Sequence, residues 1–259
     1  ITMANTPTLI KDPYKKTVFK NQKELDDFMK CCDPETGYLY FMDNFFYIQH
    51  PTKGSMVYHP WPYQERLIDT YHRYRYSISL MPRQSGKSTS AAGYLLWYAM
   101  FVPDSTILVA AHKYTGAQEI MQRIRYAYEN CPDHIKAGVT TYNKGSLDFE
   151  NGSRIVSATT TENTGRGMSI TLLYLDEFAF VERANEFYTS TYPVVSAGKE
   201  TKVIITSTAN GIGNTFHKIW EGAVQKVNEF IPFTVNWYDV PGRDEEWKAQ
   251  TVANTSQLQ

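Results

Sequence analysis

Several absences narrow the field before any motif is considered. Cysteine occurs only three times in 259 residues, at Cys31, Cys32 and Cys131. The count is odd, no spacing suits a metal, and adjacent cysteines rarely bridge each other. These read as reduced thiols of a cytosolic protein, which excludes a disulfide-stapled secreted scaffold. No apolar run approaches the roughly 18 residues of a membrane-spanning helix. The first residues, Ile1 to Asn5, lack a basic stretch followed by an apolar one, so no secretory signal is expected there. Neither sign of charge is in excess: 26 Lys and Arg stand against 27 Asp and Glu, a formal net charge of −1. The chain is therefore not a polycation, and nucleic-acid contact would need a local basic patch. No internal repeat or low-complexity tract is found. What is present is 42% hydrophobic residues, enough for one large α/β domain with a small N-terminal addition.

Residues 1–60 are aromatic and polar and carry Pro7, Pro13, Pro34, Pro51 and Pro60. They read as an arm and a small lid-like extension, with one short helix from Lys23 to Cys31. From 61 the pattern becomes regular and continues to 237. A helix over Gln64–Arg73 precedes a strand at 76–81, a helix at 87–101, a strand at 106–111 and a helix at 114–129. Two alternating runs, Ser146–Glu150 and Arg154–Thr159, meet at Asn151-Gly152, a strong hairpin signal. A strand at 171–176, a helix near 184–191, a strand at 202–207, a helix from about 214 to 227 and an extended run at 230–237 follow. Strands alternating with helices predict a mostly parallel sheet with helices on both faces. Active sites of such sheets lie beyond the carboxyl ends of the strands. Polar, chemically suggestive residues stand after 80, after 175 and after 205, which points to a single site.

The first of these ends carries Met81-Pro82-Arg83-Gln84-Ser85-Gly86-Lys87-Ser88-Thr89. Gly86-Lys87-Ser88-Thr89 is the end of a phosphate-binding P-loop, and it lies in the required strand–loop–helix context. Backbone N–H groups of the loop and of the helix start point at phosphates. Lys87 would place a cation on the β- and γ-phosphates, and the Ser88 hydroxyl would bind Mg²⁺. Met81 stands where the first glycine of the usual pattern would be. The second end, Leu172-Leu173-Tyr174-Leu175-Asp176-Glu177, fits a Walker B strand. Asp176 would hold Mg²⁺ opposite Ser88, and Glu177 would polarise an attacking water. A carboxylate pair there favours a hydrolase or motor over a small-molecule kinase. Arg83 in the loop and Arg166 in Thr164-Gly165-Arg166-Gly167 both qualify as the cation for charge developing on the transferring phosphoryl group. Glycines on both sides of Arg166 permit a mobile or protruding loop. The third end, Thr206-Ser207-Thr208, offers hydroxyls for the γ-phosphate region or for linking nucleotide state to a neighbouring element. Upstream, Gln64 could match N6 and N7 of adenine, and the neighbouring Tyr63 could stack on the base. Basic and aromatic residues interleave at 71–76 and around Arg123, Arg125 and Tyr126. Snorkelling surface side chains explain these as well as a nucleic-acid track does.

Taken together, these elements resemble the ATPase domain of the large terminase subunit of tailed bacteriophages. The resemblance spans most of residues 60–235. It rests on Tyr63-Gln64, Arg83 to Ser88, Ala111-His112-Lys113, Asn143-Lys144-Gly145-Ser146, Asn151-Gly152-Ser153, Arg166-Gly167, Tyr174 to Glu177 and Thr206 to Gly211. A P-loop without its first glycine is usual in that family. The resemblance implies an α/β P-loop NTPase of the additional-strand, catalytic-glutamate type. It implies ATP and Mg²⁺ as ligands: Tyr63, Gln64 and Arg83 to Thr89 at the nucleotide, Ser88 and Asp176 at the metal. Glu177 would be the catalytic carboxylate, Arg83 and Arg166 the two candidates for an arginine finger, and Thr206, Ser207 and Thr208 a coupling motif. The implied partners are double-stranded DNA, the portal protein of the procapsid, the small terminase subunit and further copies in a ring, with no membrane. The implied location is the host cytoplasm, transiently at the portal. Family members continue into a nuclease domain. Here 238–259, with Asp239, Asp244, Glu245 and Glu246, reads as a polar linker toward such a domain, and no nuclease activity is expected of this chain. A helicase or other translocase of another P-loop class is the competing reading. A small-molecule kinase and a nucleotide-dependent binding module are more distant ones.

Overall fold

The computed structural model describes residues 9–161 and 163–255. Ile1 to Asn5, expected to hold no signal sequence, lie outside the described residues, as do the ends of the expected N-terminal arm and C-terminal linker. The chain opens with α1 (Gln22–Cys32) and α2 (Gly37–Asn44), then a small hairpin, β1 (Tyr47–His50) with β2 (Gly54–Val57). The Asn21 side chain caps α1 by accepting from the Glu24 N–H at 3.0 Å. Helix α3 (Pro62–Arg73) starts on Pro62, whose missing N–H costs nothing in a first turn.

The central sheet has eight strands in the order β10-β3-β9-β8-β4-β7-β6-β5. These are β3 (Tyr76–Leu80), β4 (Thr106–Ala111), β5 (Val139–Tyr142), β6 (Ser146–Phe149), β7 (Arg154–Thr159), β8 (Leu172–Asp176), β9 (Lys202–Ser207) and β10 (Ile231–Thr234). Every pairing from β10 to β7 is parallel; β7–β6 and β6–β5 are antiparallel. The β6–β7 hairpin turns at Asn151-Gly152, as the sequence predicts, and Gly152 has φ 87°. Strand β9 lies between β3 and β8. This is the inserted strand of the additional-strand class.

Side-chain alternation along the strands divides the core in two. Ile107, Val109, Leu172, Tyr174 and Ile204 join a cluster with α2, α3, α4 (Lys87–Phe101) and α5 (Tyr114–Asn130). Leu108, Ala110, Leu173, Leu175, Val203 and Ile205 face α6 (Ala184–Ser196) and α7 (Thr215–Val224) on the other side. Helix α5 buries Ala117, Ile120, Met121, Ile124, Ala127 and Tyr128, an i, i+3, i+4 stripe. Helix α4 is buried nearly all round from Ser90 to Met100. A Cβ on its Gly93 would come within 2.7 Å of Met42 Cε and 2.9 Å of Phe46, so α4 packs closely on the N-terminal elements. All three cysteines are free thiols. None of the described helices is long and apolar enough to cross a membrane.

The main differences from the sequence reading lie in four places. Helix α6 runs five residues beyond 191, through Pro193, because Thr191 and Val195 are held in the core. Helix α2 and strand β5 carry no distinct periodic signal; β5 is held by pairing with β6. The stretch expected as a polar linker carries regular structure among its described residues. It contains a 3₁₀ turn at Trp237–Asp239 and α8 (Glu245–Asn254), capped by Asp244, whose carboxylate accepts from the Trp247 N–H at 2.8 Å.

Candidate active site

Strand register sets the site. Leu80 pairs with Ser207 across β3–β9, and Ala111 pairs with Asp176 across β4–β8. The polar residues that follow these strands therefore emerge level, at one edge of the sheet. The loop from Met81 to Gly86 leaves β3 with the Met81 N–H donating to the Ser207 carbonyl at 3.0 Å. Gln84 at φ 57° and Gly86 at φ 79° are both left-handed. Glycine takes this conformation freely and glutamine does not. The loop curls so that α4 begins on Lys87, where free N–H groups and the helix dipole favour an anion. The Ser85 hydroxyl is buried and has no partner among the described residues.

Lys87 lies between the loop and the Walker B carboxylates. Its ammonium is 3.3 Å from Asp176 and forms a close ion pair with Glu177. Burial alone would lower the Lys87 pKa, but Asp176 and Glu177 outweigh it and the net shift is upward. Asp176 is 6% exposed. Burial raises its pKa, with Lys87 opposing. Ser88 is half-buried beside it, and its hydroxyl makes no hydrogen bond among the described residues. A free hydroxyl and a buried carboxylate are hard oxygen donors of the kind Mg²⁺ takes, so the pair fits that ion.

The three hydroxyl residues ending β9 do different things. The Thr206 hydroxyl lies 3.0 Å from the Tyr174 hydroxyl, which donates to Asp176 at 3.5 Å. The Ser207 hydroxyl accepts from the Ala179 N–H at 3.2 Å. Thr208 donates to Glu177 Oε2 at 3.0 Å. Glu177 itself is left-handed, at φ 51°, a strained placement for a non-glycine residue that turns its carboxylate toward Lys87 and Thr208.

Two expected residues are engaged elsewhere. The sequence assigns the Gln64 amide to adenine, but both its ends are committed inside the protein. Its Oε1 accepts from the Trp61 N–H at 2.9 Å, and its Nε2 donates to the Ser85 carbonyl at 3.1 Å. Gln64 is 3% exposed, and a Cβ on Gly86 would sit 2.5 Å from its Nε2. Tyr63 is buried too, and its hydroxyl donates to the same Ser85 carbonyl at 2.7 Å. Together they brace the P-loop from behind, and neither is among the residues lining the cleft at the sheet edge.

The cleft beyond the sheet edge is lined by all seven residues from Arg83 to Thr89, by Asp176, Glu177 and Thr208, and by His112, Gly116, Glu119 and Arg123. The last four are not expected there from the sequence. Arg123 donates to the Thr89 hydroxyl at 3.1 Å and pairs with Glu119 at 2.9 Å. Its sequence signal, an i, i+4 acid–base pair on a helix after the second strand, says only that the pair shares a face. Arg166 does not line the cleft. It is exposed, in a turn closed by its N–H to the Asn163 carbonyl at 3.2 Å.

The family model for the terminase large subunit, T4-like-virus type, N-terminal, matches residues 78–259. The large terminase ATPase domain of Thermus phage P74-26 is similar in structure, with TM-score 0.64 and 21% identity; the match covers 78% of this chain and 90% of that one. The large terminase of bacteriophage HK97 gives TM-score 0.70 and 17% identity over 84% of this chain and 51% of that one. The large terminase of a thermophilic bacteriophage, solved in complex with ADP, gives TM-score 0.60 and 11% identity over 76% of this chain and 50% of that one. The chain belongs to the terminase large subunit family and matches its N-terminal part.

Proposed function

We propose that this chain hydrolyses ATP with Mg²⁺ and couples the reaction to driving double-stranded DNA into a procapsid. The observation that carries the chemistry is Lys87, held between the P-loop and a carboxylate pair, with Glu177 steered by Thr208. The loop N–H groups and Lys87 would bind the β- and γ-phosphates. Ser88 and Asp176 would hold Mg²⁺, which when bound supplies positive charge at the phosphate oxygens. Glu177 would take a proton from the attacking water as its oxygen bonds to the γ-phosphorus. The bond to the bridging oxygen breaks, and ADP leaves with that electron pair. Arg83, which lines the same cleft, would offset charge on the transferring group within one subunit. Thr206 and Thr208 tie the metal carboxylate and the catalytic carboxylate to the end of β9, which suits a coupling role.

The family supports the remaining parts of the proposal. These are a homo-oligomeric ring, a portal protein and small terminase subunit as partners, and a site of action in the host cytoplasm at the procapsid portal. A helicase of another class finds no comparable support. The test is steady-state ATPase activity against protein concentration, with Glu177→Gln as the reference. Glu177→Gln is expected to lose at least about 100-fold in rate while still binding ATP. Unchanged turnover in that variant would remove Glu177 from the mechanism. A specific rate that rises with concentration means that subunits complete one another's sites.

A further inference from the structure

The P-loop turns its N–H groups toward phosphate, so its carbonyls face outward and must find donors in the protein. Two carbonyls flank the left-handed Gln84. The Ser85 carbonyl is held from α3, by Tyr63 and Gln64. The Arg83 carbonyl is held by Arg243, whose Nη2 donates at 2.8 Å from the C-terminal segment. The strained residue is thus clamped on both sides, once from each end of the fold.

The guanidinium of Arg243 is aimed by its surroundings. Val235 and Val240 are buried in the core and fix the segment that approaches the loop. Gly242, at φ 84°, makes the turn, closed by the Arg243 N–H to the Val240 carbonyl at 3.1 Å. The guanidinium lies over the Trp247 ring at 4.9 Å, and Trp247 stacks on Trp237 at 6.0 Å between centroids. A planar cation held over a ring in this way loses little further freedom on bonding a carbonyl. We propose that Arg243 is a positioning residue for the P-loop, so that the segment 236–247 completes the phosphate site instead of merely leading away from it. The proposal rests on the reading of the Lys87 loop as the ATP phosphate site. It also implies that Trp247 senses the loop, because a shift of the Arg83 peptide moves the cation lying on its ring, against which Trp237 stacks.

The experiment uses the full chain with Arg243→Ala, Arg243→Lys and Lys87→Ala. ATP affinity is measured by calorimetry, kcat and KM by steady-state assay, and the melting midpoint for each variant. Loss of a charged hydrogen bond to the loop should raise both Kd and KM for ATP about 10-fold in Arg243→Ala, with kcat changed less. ATP should alter tryptophan emission of the wild type, and the Arg243→Ala change should be smaller. Kd and KM within about two-fold of wild type would overturn the proposal. If Arg243→Ala also lowers the melting midpoint, Arg243→Lys decides. A restored midpoint with KM still raised supports the clamp; any other combination overturns it. Lys87→Ala separates the two readings. If it loses ATP while Arg243→Ala keeps full affinity, only the clamp falls. If Lys87→Ala binds ATP as the wild type does, the phosphate-site reading falls and takes the clamp with it.

Discussion

Two loops carry the arginines that could serve a transferring phosphoryl group, and they are held in very different ways. The Arg83 loop is fixed from three directions: Tyr63 and Gln64 on one carbonyl, Arg243 on another, and Ser207 on the Met81 N–H. It opens directly onto the cleft that holds Lys87, Asp176 and Glu177. The Arg166 loop is held by its own turns and by the ends of β4 and β7. Thr164 donates to the Thr159 carbonyl at 2.5 Å, and Gly165 and Gly167 turn at φ 79° and 73°. The Arg166 side chain has no bond among the described residues and points into no cleft with Glu177. An arginine on a braced loop that lines the cleft can act within its own subunit. An arginine on an exposed turn outside that cleft is better suited to act on another molecule. The flanking glycines, which in the sequence suggest mobility, are the means of making a tight turn.

An order of effects is expected from this contrast. Lys87→Ala removes the group that joins the loop to both carboxylates, so ATPase activity should fall at least about 100-fold and ATP affinity with it. Activity close to wild type would mean that the braced loop is not the reactive one. Arg83→Ala should cost on the order of 10- to 100-fold in kcat at every protein concentration. Arg166→Ala should cost nothing in dilute protein and should lower the rate only where the specific activity rises with concentration. Mixing Arg166→Ala with Glu177→Ala subunits should then restore some ATPase. A concentration-independent loss in Arg166→Ala would erase the distinction between the loops. The smallest effect is expected for Thr208→Val, which removes the hydroxyl on Glu177 at nearly constant volume. One hydrogen bond to a carboxylate corresponds to about 10-fold in kcat with KM little changed. A rise in KM alone would show that Thr208 serves binding and not the catalytic carboxylate.

The fold was legible where local signal and tertiary demand agree. Strands β4, β7 and β9 and helix α4 have the bounds that the sequence predicts, because buried parallel strands need β-branched runs and the P-loop fixes where its helix starts. It was illegible where partners at long range did the work. Pro193 ends a helix on local grounds, yet α6 continues because its buried face holds it. The 238–259 stretch is polar enough to read as linker, and no local pattern reveals that Arg243 reaches a carbonyl 160 residues away.

The chain's sequence by itself determined where the candidate phosphate-binding and carboxylate groups stand. The order of glycine, lysine, serine and paired carboxylates at the ends of apolar strands admits few other uses, since each group must follow a strand to meet phosphate. Only the tertiary structure decided which side chains are free to act. Gln64 and Tyr63 have the right groups for a base and spend them on the Ser85 carbonyl. Arg123 reads as a surface cation and lies in the cleft. The reason is that a hydrogen-bonding group's role depends on which partners reach it first, and those partners are brought by folding from far along the chain.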